Sequence, residues 1–335
     1  MSVTINDVAQ AAGVSASTVS KVINGWTTIS PATTARVQAA IESLHYVPNQ
    51  RAVSFAKGAT KNITFLTSIN KSQAYKNPHM FEILCGAYSV LSKYNYTVSI
   101  TDTSADTFPG ESIYRIIKGG SCDGIIVHGS ALTKDVAANI VASEFPHTII
   151  GNPSYDTPLC WVDTNHVLGG QFAADHLLAK GYTEVGFIGG RKSDFISSQR
   201  LKGLRQTMLK SGNKMSTENI IYSDHDFNTI YNHCVKLLTS KSRPQAIVCE
   251  NCFIAVVLQK AIERLSLSTP DDIAFLTFDK YPYTSTMQPT PTIVDIDVYD
   301  LGVQAGSTLA RKLENPKLLV QSYTTLPLLI QGATT

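Results

Sequence analysis

The sequence predicts an α/β protein: a small all-α helix-turn-helix head, then a core of two doubly wound parallel-sheet subdomains. Two observations carry this. Within the first 24 residues, two short amphipathic helical segments flank Gly13. After residue 62, apolar strand-like runs alternate with amphipathic helical stretches, the pattern of parallel sheets covered on both faces.

The head opens at Thr4, a good N-cap for a helix whose apolar positions Ile5, Val8, Ala9 and Ala12 form a 3.6-residue stripe. Gly13 stands where a left-handed residue ends a helix. Ser15 caps a second helix, predicted to bury Val19, Val22 and Ile23 and to expose Ala16, Ser17, Ser20 and Lys21. Two short helices joined by such a turn form the motif whose second helix enters the DNA major groove. Asn24-Gly25 closes that helix, and Pro31 at the first helical position opens a third, with Val37, Ala40, Ile41 and Leu44 facing inward.

Thr4-Ile5-x-Asp7-Val8-Ala9, Ala12-Gly13-Val14-Ser15, Thr18-Val19-Ser20, Asn24 and Tyr46-x-Pro48-Asn49 form a long ordered match. On these residues the chain resembles the LacI/GalR family of bacterial transcription regulators, and the likeness continues more loosely to about Leu329. The resemblance implies operator contacts from Thr4, Ser15, Ala16, Ser17, Thr18, Ser20, Lys21 and Asn24, with Asn49, Ala52 and Phe55 added by the linker. In the family the linker holds a hinge helix that pairs in the minor groove and wedges a Leu into the central base step. Phe55 occupies the wedge position here, and Phe is also an accepted wedge. The alternative for Phe55 is an anchor on the core. The domains expected are a head over 1–48, a hinge over 49–62 and a core over 63–335.

In the core, strands are predicted at Ile63–Thr67, Thr97–Thr101, Gly124–Val127, Thr148–Ile150, Val185–Ile188, Ile220–Tyr222, Ala246–Cys249 and Ile273–Phe278. Helices between them include Phe81–Tyr94, Val167–Lys180, Gln199–Lys210, Ile230–Thr239 and Ile254–Leu265. Such a sheet pair holds a ligand at the carboxyl ends of its strands. The resemblance implies the periplasmic-binding-protein fold, with crossovers between subdomains near Asp163, Asp295 and Leu326.

The resemblance also supplies effector-site candidates. Arg200 begins an Arg-x-x-Gly pattern, and its fork of fixed donors suits paired sugar hydroxyls. Phe227 falls where the family often has an aromatic that stacks on a sugar face. Asn251 matches the Asn of an Asn-Asp pair, although Cys252 replaces the Asp. Asp279 matches a strand-end acceptor, and His79 and Phe81 follow an Asn-Pro that precedes the first core helix and edge the cleft. Gly186, Gly189 and Gly190 do not open a helix and read as a plain turn.

Composition bounds the alternatives. The chain has 335 residues, 43% hydrophobic and 16% charged, with a net charge of +2. Its first 60 residues hold Lys21, Arg36, Arg51 and Lys57 against Asp7 and Glu42, so the small positive excess lies in the head and hinge taken together. The N-terminus has no apolar signal-like run and no stretch long enough to span a membrane, so a cytoplasmic protein is expected. The six cysteines lie mostly in apolar runs and read as reduced thiols; Cys249-Glu-Asn-Cys252 has no second pair with which to build a zinc site. No catalytic motif, metal site or cofactor fingerprint is present. The expected function is a homodimeric repressor of carbohydrate-utilisation genes that binds operator DNA and a sugar-like effector. A purine-responsive regulator is the main alternative; a solute-binding protein or a sugar-processing enzyme is less favoured.

Overall fold

The computed structural model describes residues 3–47, 59–69, 79–224, 226–318 and 322–335. In the head, α1 (Ile5–Ala12), α2 (Ala16–Ile23) and α3 (Pro31–Ser43) enclose a core of Val8, Ala9, Ala12, Val19, Val37 and Ala40. Each helix begins as its sequence dictates. Thr4 and Asp7 form a reciprocal capping box, and the Ser15 and Ser30 hydroxyls accept the Thr18 and Thr33 amides. Gly13 takes the left-handed conformation at φ +62° and ends α1.

The core is two six-stranded sheets. The first contains β1 (Asn62–Thr67), β2 (Thr97–Asp102), β3 (Gly124–His128), β4 (His147–Ile150), β5 (Trp161–Thr164) and β11 (Tyr323–Thr325), all parallel, in the order β11-β5-β4-β3-β1-β2. The second contains β6 (Val185–Gly189), β7 (Ile220–Tyr222), β8 (Ala246–Cys249), β9 (Ala274–Phe278), β10 (Thr292–Asp295) and β12 (Leu328–Ile330), in the order β12-β10-β9-β8-β6-β7. Only β12 runs antiparallel to its neighbour there. The chain passes between sheets three times: after Thr164, after Asp295, and between Thr325 and Leu328.

Helices α4 (His79–Leu91), α5 (Glu111–Gly119), α6 (Lys134–Ser143) and α11 (Val298–Glu314) accompany the first sheet. Helices α7 (His166–Ala179), α8 (Phe195–Lys210), α9 (Phe227–Leu238) and α10 (Cys252–Arg264) accompany the second. Each subdomain has one very close helix pair. A Cβ at Gly203 would overlap the Val167 carbonyl, and one at Gly170 the Arg200 carbonyl, so α7 and α8 touch backbone to backbone. Gly86 and Gly302 do the same for α4 and α11. The central strands are uniformly buried, which explains why continuous apolar runs marked them in the sequence. Strands β11 and β12, three residues each at sheet edges, carry too little periodicity to be read that way.

Candidate nucleic-acid interface and effector cleft

On the head, the recognition helix α2 presents Ser17 and Lys21 to solvent. Ala16, predicted exposed, is half-buried because it packs on the head core. The Ser15 hydroxyl caps the helix and also bonds the Ser17 hydroxyl at 2.8 Å and that of Thr18 at 2.9 Å. Asn24 turns inward, its amide donating to the Ser20 carbonyl at 2.8 Å, and so closes α2 from its C-terminal end. Thr4 is held by its capping bond to Asp7 at 2.7 Å. Asn49, Ala52 and Phe55 lie outside the described residues, as do Asn77 and Pro78.

Between the two sheets lies a cleft of about 560 Å³. Its lining comes from strand ends and helix starts, the expected place in a doubly wound fold. From the first subdomain come Thr67 to Ile69 at the end of β1, His128 and Ser130 at the end of β3, Asn152 to Tyr155 after β4, and Asp163 with His166 at the end of β5. The first turn of α4 adds His79, Met80 and Ile83. The second subdomain contributes Asp194, Phe195 and Ile196 at the start of α8, and Glu250 after β8. No lysine or arginine lines the cleft among the described residues.

Two polar nodes organise this site. Asp163 is buried and accepts the Asn152 amide at 2.8 Å, the Thr164 amide at 2.8 Å and His166 Nε2 at 3.2 Å. Burial alone would raise its pKa; the His166 contact and the two amides outweigh that and hold the carboxyl below the usual range. His128 shares Nδ1 with the Ser130 hydroxyl at 2.8 Å, and burial, aided by His79, pushes it down to about 4, so the ring is neutral at pH 7. The second node is Asp279, in the left-handed conformation at φ +70° where β9 turns. Its carboxylate meets Arg200 at 3.2 Å and His79 Nε2 at 3.3 Å. Arg200 also donates to the Glu250 carbonyl and lies over the Phe278 ring, 4.1 Å from the centroid. Burial raises the Asp279 carboxyl, but Arg200 and then His79 dominate and hold it at about 2.

The structure therefore brings together three of the six effector candidates: His79, Arg200 and Asp279. His79 lines the cleft; Arg200, only 2% exposed, and Asp279 sit behind its wall as a buried pair. The other three lie outside the cavity. Asn251 spends its side-chain oxygen on the Ile254 amide at 3.0 Å, as N-cap of α10. Phe227 starts α9 and stacks on Tyr231, with ring centroids 6.1 Å apart. Phe81 is 67% exposed, two residues along α4 from His79 and turned to solvent. Cys252, in place of an acid, donates to the Phe278 carbonyl at 3.1 Å and ties α10 to β9. Burial raises the Cys249 and Cys252 thiols, so neither is a reactive thiolate.

Comparison with known proteins agrees with this architecture. Residues 4–49 match the family model for bacterial regulatory proteins of the lacI family, and residues 174–335 match a periplasmic binding protein-like domain. The HTH-type transcriptional regulator MalR of Streptococcus pneumoniae is 30% identical over 320 residues, spanning 95% of this chain and 94% of its own. The chain belongs to the LacI family of bacterial transcriptional regulators. The ribose operon repressor of Escherichia coli is similar at 28% identity over 98% of each chain. So is the repressor PurR of Photobacterium profundum, at 27% over 93% of this chain and 92% of its own. Among solved structures, the lac repressor dimer bound to operator and the anti-inducer ONPF shares the fold, with a TM-score of 0.84 at 21% identity over 100% of this chain and 99% of that one. As a LacI-family member, the protein is a DNA-binding regulator and not an enzyme, and it controls genes through a small molecule held in the core cleft. Family members bind operator DNA and effector as dimers. Among the described residues no helix is long and apolar enough to cross a membrane.

Sequence reasoning missed most of the LacI-family cleft of this chain: His128, Ser130, Asn152, His166, Asp194 and Glu250. A signal for two of them was present. His128 follows the apolar run Gly124–Val127, and Glu250 follows Ala246–Cys249. A polar residue at the carboxyl end of a buried parallel strand is a cleft position by topology alone.

Proposed function

We propose that this regulator represses carbohydrate-utilisation genes and that its effector is an uncharged sugar or sugar derivative. The observation that carries this reading is the chemistry of the cleft. Acceptors and donors at Ser130, Asn152, Asp163, His166 and Glu250 alternate with apolar surface from Ile69, Met80, Leu132, Phe195 and Ile296. A sugar offers hydroxyls around an apolar ring face, which such a lining matches. A phosphate or carboxylate would enter beside Asp163, Asp194 and Glu250 with no described lysine or arginine to offset its charge. His79 contacts the effector directly, while Arg200 and Asp279 support it from behind.

On DNA, Ser17 and Lys21 read base edges or phosphate from the exposed face of α2, with Ala16 at its N-terminal end and Thr4, Ser15, Thr18, Ser20 and Asn24 supporting that face. Asn49, Ala52 and Phe55 act at the minor groove. Two copies bind a two-fold symmetric operator, because one head reads too few base pairs to find a site in a genome. Titrating the operator complex with mono- and disaccharides, their phosphates and purines tests the effector class. Neutral sugars are expected to shift operator affinity; a response confined to purines or to sugar phosphates would overturn the assignment.

A further inference from the structure

The head has few cations with which to hold a phosphate backbone: among its described residues, Lys21 and Arg36 supply the lysine and arginine side chains. Protein–DNA interfaces place many of their hydrogen bonds on phosphates, and neutral donors serve there as well as cations. Trp26 is such a donor. It follows the Asn24-Gly25 turn that ends α2 and is 57% exposed, the most exposed large aromatic of the head. It takes no part in the head core.

Its position is fixed. Gly25, at φ +71°, turns the chain so that the Gly25 amide reaches the Val22 carbonyl at 3.0 Å and the Trp26 amide reaches the Lys21 carbonyl at 3.0 Å. This turn folds the indole back along α2 and brings its ring centroid to 5.9 Å from Lys21 Nζ. Lys21 shares the exposed face of α2 with Ser17, one turn earlier. Trp26 therefore continues the DNA-reading face at its C-terminal end, and the exposed Thr27 and Thr28 hydroxyls follow it.

We propose that Trp26 is an uncharged backbone anchor. Its indole N–H donates to an operator phosphate beside the major groove, and its ring lies against the adjacent sugar.

Salt dependence separates this role from that of a cation. A cationic contact releases counterions and steepens the fall of affinity with salt by about 0.9 per phosphate; a neutral donor releases none. In the full-length dimer, Trp26→Ala is expected to weaken operator and random duplex alike by about tenfold or more, with the salt slope unchanged. Trp26→Phe keeps the ring and recovers part of the loss. Lys21→Ala lowers the slope by about two per dimer if both copies touch phosphate. The chain has two tryptophans, so in a Trp161→Phe background Trp26 is the sole indole, and its emission is expected to change on saturation with operator. This readout keeps the native indole and is independent of how well Trp26→Ala folds. Emission unmoved by DNA, affinity of Trp26→Ala within twofold of wild type, or a slope that falls as in Lys21→Ala would each overturn the proposal.

Discussion

The two walls of the cleft use their polar groups in opposite ways. On the first subdomain, His128, Asn152, Asp163 and His166 end their strands facing the cavity. On the second, Asp194 and Glu250 also reach the cavity, but Asp279 after β9 pairs with Arg200 of α8, Arg200 bonds the Glu250 carbonyl, and Asn251 caps its own helix. One wall offers its polar groups to the cavity, and the other is a pre-paired platform; in the proposed function the first is the recognition wall. His79 joins them, since it starts α4 of the first subdomain yet meets Asp279 and stacks on Tyr281, 4.9 Å between centroids. With His79 contacting the effector as proposed, a ligand in the cleft would touch a side chain whose other partner belongs to the opposite subdomain. Differential contact of this kind is what allows binding to bias domain closure.

Breaking the platform should have the largest effect. Arg200→Ala leaves the Asp279 carboxylate buried beside His79 alone, and loss of one partner of a buried pair costs about 3–5 kcal/mol. Urea unfolding of the core should show a loss of that order, while the folded protein still binds operator and no longer responds to effector. An unchanged sugar response would remove Arg200 from the mechanism. The loss also has a definite pH dependence. The native Asp279 carboxyl titrates at about 2 against an ordinary 3.8, so its contribution is complete above 3.8 and disappears as pH falls toward 2. The stability gap between wild type and Arg200→Ala should therefore narrow on acidification and close as pH falls toward 2, where the wild-type carboxyl also protonates.

The contrast between walls also explains what was legible in the sequence. The head could be read almost residue by residue, because caps, a left-handed glycine and a short apolar stripe are local properties of the chain. The central strands were legible because burial on both faces leaves a continuous apolar run. The Arg200-x-x-Gly203 pattern was legible too, but half of it answers a packing demand: Gly203 lets α8 touch α7, while Arg200 serves the pair with Asp279. The recognition wall was not legible. Its residues come from four separate strand ends, and only the strand order β5-β4-β3-β1 brings them to one cavity. Asn251 shows a different limit: the family position can be read from sequence, but not that its side-chain oxygen caps α10.

On the recognition wall, Asp163→Asn should reduce effector affinity by about 1.5–3 kcal/mol, the range for a hydrogen bond to a charged group. Calorimetric titration of the sugar checks this, and operator affinity without effector should hold. His128 sharpens the point. Its neutral ring titrates at about 4 against an ordinary 6.5, so its contribution to stability is complete above 6.5 and is lost as pH falls from 6.5 to 4. Effector affinity should consequently be flat in pH on His128's account from 8 down to about 5. A step near 6.5 would show a ring that titrates normally in the cleft.

The smallest effects belong to the second wall's outer residues. Asn251→Ala removes an N-cap and should lower stability by about 1 kcal/mol, without changing effector affinity measured below the melting temperature. Phe227→Ala is the sharpest of these tests because the two roles of the ring differ in both size and readout. As a stacking face for a sugar, the ring would supply a substantial share of the binding energy, and its removal would weaken the sugar by tenfold or more. As a helix-start residue 38% exposed and stacked on Tyr231, it should affect stability and effector affinity by less than about 0.5 kcal/mol, the range of ordinary surface substitutions. Titration of Phe227→Ala with the cognate sugar should thus overlay wild type. A tenfold loss would mean that the second wall rotates Phe227 into the cleft on closure, and that the platform takes part in recognition after all.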